Sequence, residues 1–86
     1  MAYAIIYKPS ADKTLRKLPE KVQRRIAAAT EALADDPRPP GAKELQGADE
    51  LWRIRIGEYR VVYTIQDEAL IVLVVRVAHR KDVYRS

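Results

Sequence analysis

A two-residue turn sets the register of the chain's most patterned stretch. Residues 51–63 read LWRIRIGEYRVVY. Trp52, Ile54 and Ile56 share one parity, Arg53 and Arg55 the other, and the alternation resumes from Tyr59 to Tyr63 after Gly57-Glu58. Alternation of this kind marks a strand that buries one face. Gly57-Glu58 suits a type II′ hairpin turn, which needs glycine first. If those two residues are the whole loop, Ile56 faces Tyr59, Arg55 faces Arg60, Ile54 faces Val61, Arg53 faces Val62 and Trp52 faces Tyr63. Trp52, Ile54, Ile56, Tyr59, Val61 and Tyr63 then form a core face, and Arg53, Arg55, Arg60, Val62 and Thr64 the opposite one.

The register carries a physical conflict. Arg55 and Arg60 stand directly opposite, and like charges in that position destabilise a hairpin by a few tenths to ~1 kcal/mol. A bound anion would reverse the sign of that interaction. Alternatively, one arginine swings to Glu58 or Asp82, or extends into water over its aliphatic stem.

The rest of the chain frames this hairpin. YAIIY (residues 3–7) is β-branched and aromatic, a short strand. Ser10 can cap a helix bearing Ala11, Leu15 and Leu18 on its apolar stripe. After Pro19, Val22, Ile26, Ala29 and Leu33 recur at helical spacing until Asp35-Asp36-Pro37. The short break at Leu18-Pro19 predicts a helical hairpin. PRPPGAKELQGADE (residues 37–50) has no period and reads as a loop. Strands are expected at 51–56, 59–65 and 70–77, the last apolar on both parities. The sum is an α+β fold: an N-terminal strand, then a helical hairpin packed on one face of a small antiparallel sheet, in the order β-α-α-β-β-β. At 86 residues the chain is one domain, 1–86, burying roughly 60–65% of its unfolded surface.

Composition narrows the chemistry. With no cysteine and a single histidine, His79, the chain offers neither a thiolate site nor the usual zinc ligands, so no metal or other cofactor is expected. The first apolar run ends at Tyr7-Lys8-Pro9, too short for a signal peptide or a membrane span, so a soluble cytoplasmic protein with no membrane partner is expected. Residues 51–65 and 76–86 hold seven basic residues against Glu58 and Asp82, a net of +5 in a chain whose total is +4, so everything else sums to −1. Such clustering points to a polyanionic partner.

Taken together, LWRIRIGEYRVVYTIQDEALIVLVVRVAHRKDVYR resembles the C-terminal half of RelE-type toxins of the RelE/ParE superfamily. KTLRKLPEKVQRRI and the AKELQG loop are similar to that family's helical hairpin and linker. The resemblance covers nearly the whole chain and rests on the ordered set, not on one motif. It implies a RelE-like fold and the toxin of a type II toxin–antitoxin module. It further implies a metal-independent mRNA endoribonuclease working in the ribosomal A site, with the messenger's 2′-hydroxyl attacking the adjacent phosphate. The implied partners are mRNA, the ribosome, a small acidic cognate antitoxin, and operator DNA only as the toxin–antitoxin complex.

The resemblance places Arg53 and Arg55 where the family carries basic residues on the first hairpin strand. Arg60 matches the arginine of the Tyr-Arg-Val-Val-Tyr run, Arg80 a basic residue after the last strand, and Tyr84 a tyrosine near the C-terminus. The best-known member has lysines on the first hairpin strand, one of them assigned as a base. Both are arginine here, and arginine stays protonated at neutral pH and is a poor base.

The expected catalytic set is therefore Arg60, His79, Arg80 and Tyr84, with Arg53, Arg55, Lys81 and Arg85 binding RNA phosphates. Guanidinium donors match phosphate oxygens bidentately. His79 is the residue type that transfers protons near neutrality, or else an ordinary solvent-facing or core histidine. Tyr84 stacks on a base or anchors the tail. Glu58 and Asp82 are alternative bases. A ParE-like gyrase poison on the same fold is the rival function, and a non-enzymatic corepressor a further one.

Overall fold

The computed structural model describes residues 2–45 and 50–79. The elements run β1 (Ala4–Tyr7), α1 (Pro9–Arg16), α2 (Glu20–Ala32), β2 (Lys43–Glu44), β3 (Leu51–Ile56), β4 (Tyr59–Gln66) and β5 (Ile71–His79). The five strands form one sheet in the order β1-β5-β4-β3-β2. The expected α+β architecture is present, with two additions. β1 runs parallel to β5, so the sheet is mixed rather than wholly antiparallel. The segment read as loop also contributes a two-residue edge strand, β2, antiparallel to β3.

The order explains why one face is covered. β1 and β2 are the two edges, and the helices lie between them in the chain. They cross the sheet on one side, which leaves the other side without a helix. Ala11 and Leu15 of α1, with Ile26, Thr30 and Leu33 from α2 and its end, close over Ile54, Val61, Tyr63, Ile65, Val72, Val74 and Val77. Ile26, Val61, Val72 and Val74 are wholly buried. Each such side chain contributes roughly 1.5–3 kcal/mol relative to leaving it in water.

The helix ends correct one expectation. Ser10 does not cap α1. Pro9 occupies the first helical turn, Lys8 stands at the cap without a side-chain hydrogen bond, and Ser10 lies inside the helix. Proline has its φ pre-set for that position and has no N–H to lose there. Asp12 in the first turn and Arg16 in the last suit the helix dipole and pair with each other at 2.9 Å. At the break between the helices, Gln23 Nε2 donates to the carbonyls of Arg16 (3.1 Å) and Leu18 (2.7 Å), which ties the hairpin shut.

The β3–β4 pairing matches the expected register at every position from Trp52↔Tyr63 to Arg55↔Arg60. Gly57 has φ +59° and Glu58 is not in the left-handed region, as a type II′ turn requires. β5 departs from expectation. A turn over 66–69 predicts Arg60 beside Val75, whereas Arg60 pairs with Ala78. Two residues of that difference come from the turn, which begins and ends one residue later, with Gln66↔Ile71 as its last pair. The third comes from a β-bulge opposite Val62/Tyr63. The bulge adds one residue to β5 and exchanges its faces. Val72 and Val74 face the core before it, and Val77 after it. That exchange is one reason the strand is apolar on both parities.

Among the described residues, no helix is long and apolar enough to cross a membrane.

Candidate active site and nucleic-acid interface

The registers assemble the face of the sheet that carries no helix row by row. Nearest the Gly57 turn, Arg55 pairs with Arg60, and Arg60 with Ala78. The next row crosses four strands: Lys43, Arg53, Val62 and Arg76. Beyond it lie Leu51, Thr64, Leu73 and Ile6, an apolar row in which Ile6 is 45% exposed. The face is thus basic at the turn end and apolar at the other.

Sequence reasoning found Arg53, Arg55 and Arg60 and missed Lys43 and Arg76. Lys43 lay in a segment without period, and Arg76 belonged to a strand whose parity the bulge changes. Lys43, Arg55 and Arg76 are exposed, while Arg53 and Arg60 are half-buried. The registers put no Asp or Glu on this face among the described residues. Nor does Lys43, Arg53, Arg55 or Arg76 form an ion pair with a described residue. Lys43, Arg53, Arg55, Arg60 and Arg76 therefore share a surface on which the registers place no described carboxylate.

His79 ends β5 opposite Tyr59. Its ring meets the Tyr59 ring edge to face, with centroids 5.1 Å apart. Its Nε2 lies 3.2 Å from Glu58 Oε2. Tyr59 packs on the core, so strand alternation sends His79 to the helix side of the sheet, at the same end as Arg55 and Arg60 but on the other parity. The Arg25 guanidinium of α2 also approaches this end, with Nη2 3.4 Å from where a Cβ on Gly57 would stand. The turn thus brings Glu58, His79 and Arg25 together below the arginine rows. Arg80, Lys81, Tyr84 and Arg85 lie outside the described residues.

The opposite end of the sheet holds its charges differently. Arg38 donates to both carboxylate oxygens of Asp67, at 2.9 and 3.3 Å, and its guanidinium sits 5.4 Å over the Trp52 ring. Tyr3 donates to the same carboxylate at 2.6 Å. The Arg38 hydrogen bonds, with that of Tyr3, hold the Asp67 carboxyl below its ordinary range. Tyr63, wholly buried, donates to Pro37 O at 2.7 Å, and burial pushes its phenol up to about 12. These contacts fasten the loop after α2 onto the sheet.

Similarity to known proteins decides the family. The model of the ParE toxin of type II toxin–antitoxin systems, parDE, matches residues 5–84. The chain belongs to the RelE/ParE family of toxins. Toxin RelG of Mycobacterium tuberculosis is 36% identical over 92 residues, covering 99% of both chains. A RelE-like toxin protein of Escherichia coli is 34% identical over 88 residues, covering 98% of this chain and 92% of its own. In three dimensions this RelE/ParE toxin is similar to the M. tuberculosis toxin–antitoxin complex RelBE2, with TM-score 0.82, 28% identity and 93% of each chain covered. The isolated E. coli RelE toxin superposes with TM-score 0.80 at 27% identity, covering 98% of each chain.

Proposed function

We propose that this RelE/ParE toxin is an endoribonuclease that cleaves mRNA by attack of a 2′-hydroxyl on the adjacent phosphate, in the ribosomal A site. The observation that carries the reading is the facing pair Arg55 and Arg60 beside a row of further cations, Lys43, Arg53 and Arg76, on a face where the registers place no described carboxylate. A stability-selected hairpin has no use for that pair. A phosphorane, with its charge spread over non-bridging oxygens, has use for both guanidinium groups.

The reaction needs three services. A base takes the 2′-proton, donors stabilise the charge at phosphorus, and an acid returns a proton to the leaving 5′-oxygen. The new 2′-O–P bond replaces the 5′-O–P bond, giving a 2′,3′-cyclic phosphate and a 5′-hydroxyl. Arg60 serves the second need, with Arg53 and Arg55 on flanking phosphates. His79 is assigned the proton transfer. Glu58 beside its Nε2 orients the ring. Arg80 and Tyr84 complete the catalytic set, and Lys81 and Arg85 the phosphate-binding one. The chemistry asks for no cofactor.

An antitoxin partner is supported by the solved relatives, several of which are toxin–antitoxin complexes. It would be small and acidic to match the basic face, and operator DNA would be bound only by the complex. The test is to map RNA ends after induction, with and without translation. Cuts bearing 2′,3′-cyclic ends that vanish when translation is blocked support the reading. The family model, described as a ParE toxin, favours a second one, inhibition of gyrase. DNA-damage signalling with intact RNA on induction would select it.

A further inference from the structure

The registers place Lys43 on β2, Arg53 on β3 and Arg76 on β5 in one row across the sheet, with Val62 of β4 between the arginines. Neighbouring strands lie about 4.8 Å apart, so the row spans about 14 Å. The Arg55–Arg60 pair forms the adjacent row, two residues along the strands, or about 6.7 Å away. Between the two rows runs a track perpendicular to the strands, with cations on both sides. Resting on the endoribonuclease reading, we propose that single-stranded RNA lies in this track, crossing the strands from β2 to β5, with Lys43 and Arg76 holding the phosphates on either flank of the cut.

The same face says how the strand is gripped. Its described residues include no aromatic side chain, because Trp52, Tyr59 and Tyr63 point into the core. Sequence-tolerant stacking of bases needs such platforms. Among the described residues the grip is on the phosphates, and their share of the affinity depends on salt more than on base composition. A polypeptide partner such as the antitoxin would centre on the neighbouring apolar row and meet these cations only at its rim. Protein interfaces are built on an apolar centre, and the apolar part of this face is the neighbouring row of Leu51, Leu73 and Ile6, away from the turn.

The test uses short 2′-O-methyl homopolymers of uridine and of adenosine, which lack the nucleophile and so report binding apart from cleavage. Each lost phosphate contact on a single strand lowers the slope of log affinity against log salt by about 0.7, so K43Q/R76Q lowers it by about 1.4 on both homopolymers. The control R16Q/R24Q removes the same charge from the exposed helix surfaces and leaves the slope unchanged. An unchanged slope in K43Q/R76Q overturns the proposal, as does an equal drop in the control. It is overturned too if K43Q/R76Q keeps its RNA affinity and instead loses affinity for polyglutamate. Cleavage of mRNA on translating ribosomes by the parent is scored separately, so a protein that binds along the track and never cuts there refutes the nuclease reading alone.

Discussion

Arginine does opposite work at the two ends of the sheet. Arg38, at the β4–β5 turn, is held by both oxygens of Asp67 and covers Trp52. Arg55, at the β3–β4 turn, faces another arginine and has no described carboxylate partner. The side chains are chemically identical and their surroundings are not. Where the chain supplies its own counter-charge, arginine fastens a loop. Where no described carboxylate meets it, the surface keeps a favourable interaction in reserve for an anion. Substitutions at the two ends should therefore separate stability from toxicity.

The largest effect is expected at Arg60. Arg60→Ala should lower cleavage by about 10²–10³-fold, the usual cost of removing one donor to a developing oxyanion. Growth inhibition should be lost with the circular dichroism spectrum of the folded protein retained. A folded and fully toxic Arg60→Ala protein would remove Arg60 from the mechanism. His79→Gln should slow single-turnover cleavage more than RNA binding. Equal single-turnover rates for mutant and parent would exclude it.

Tyr63→Phe addresses the fastened end. The change deletes the donor to Pro37 O and leaves a buried acceptor, at a cost of about 1–3 kcal/mol in chemical denaturation, with toxicity kept. The phenol also gives the parent an alkaline limit. Its pKa is raised in the fold to about 12 from an ordinary value of 10.0. The folded state therefore holds this proton more tightly. The resulting stability is complete below pH 10.0 and is lost as pH rises through 12. Denaturation titrations should show that loss in the parent and not in Tyr63→Phe.

How much of this was legible before the fold follows from the range of each interaction. The β3–β4 register was readable because a two-residue turn leaves one pairing open, and the arginine face came with it. Lys43 was not readable, since two residues in a proline- and glycine-rich loop carry no period. The place of Arg76 and the partner of Arg60 depended on a bulge, a local answer to packing that leaves no composition signal. The Tyr3–Asp67–Arg38 cluster joins residues up to 64 apart in sequence, and Gln23 closes the helical hairpin through backbone carbonyls. Neither has a pattern to find. His79, grouped with Arg60 in the expected catalytic set, shares the arginines' end of the sheet and pairs on the other parity.

Asp67→Asn tests the same end by acid. The carboxyl's pKa is lowered in the fold, first by Arg38 and then by Tyr3. Its contribution is present above the ordinary carboxylate range and fades as pH falls through the depressed folded value. The carboxylate is exposed, so the effect is modest. Melting temperature measured from neutral pH downward should fall less steeply in Asp67→Asn than in the parent. Parallel curves would show that the contact with Arg38 is not linked to folding.

The smallest expected change is the most telling. Arg55→Thr removes the repulsion across the hairpin and places a β-branched residue opposite Arg60. If the pair is retained for an anion, the variant should be more stable than the parent, by a few tenths to ~1 kcal/mol, and less toxic. Stability and toxicity then move in opposite directions from one substitution, which a purely structural arginine does not do. The same exchange at Arg38, which has Asp67 as its partner, should lower stability and leave toxicity alone. An Arg55→Thr protein that is less stable than the parent would mean that Arg55 already finds its counter-charge within the chain. The contrast between the two ends of the sheet would then lose its physical basis.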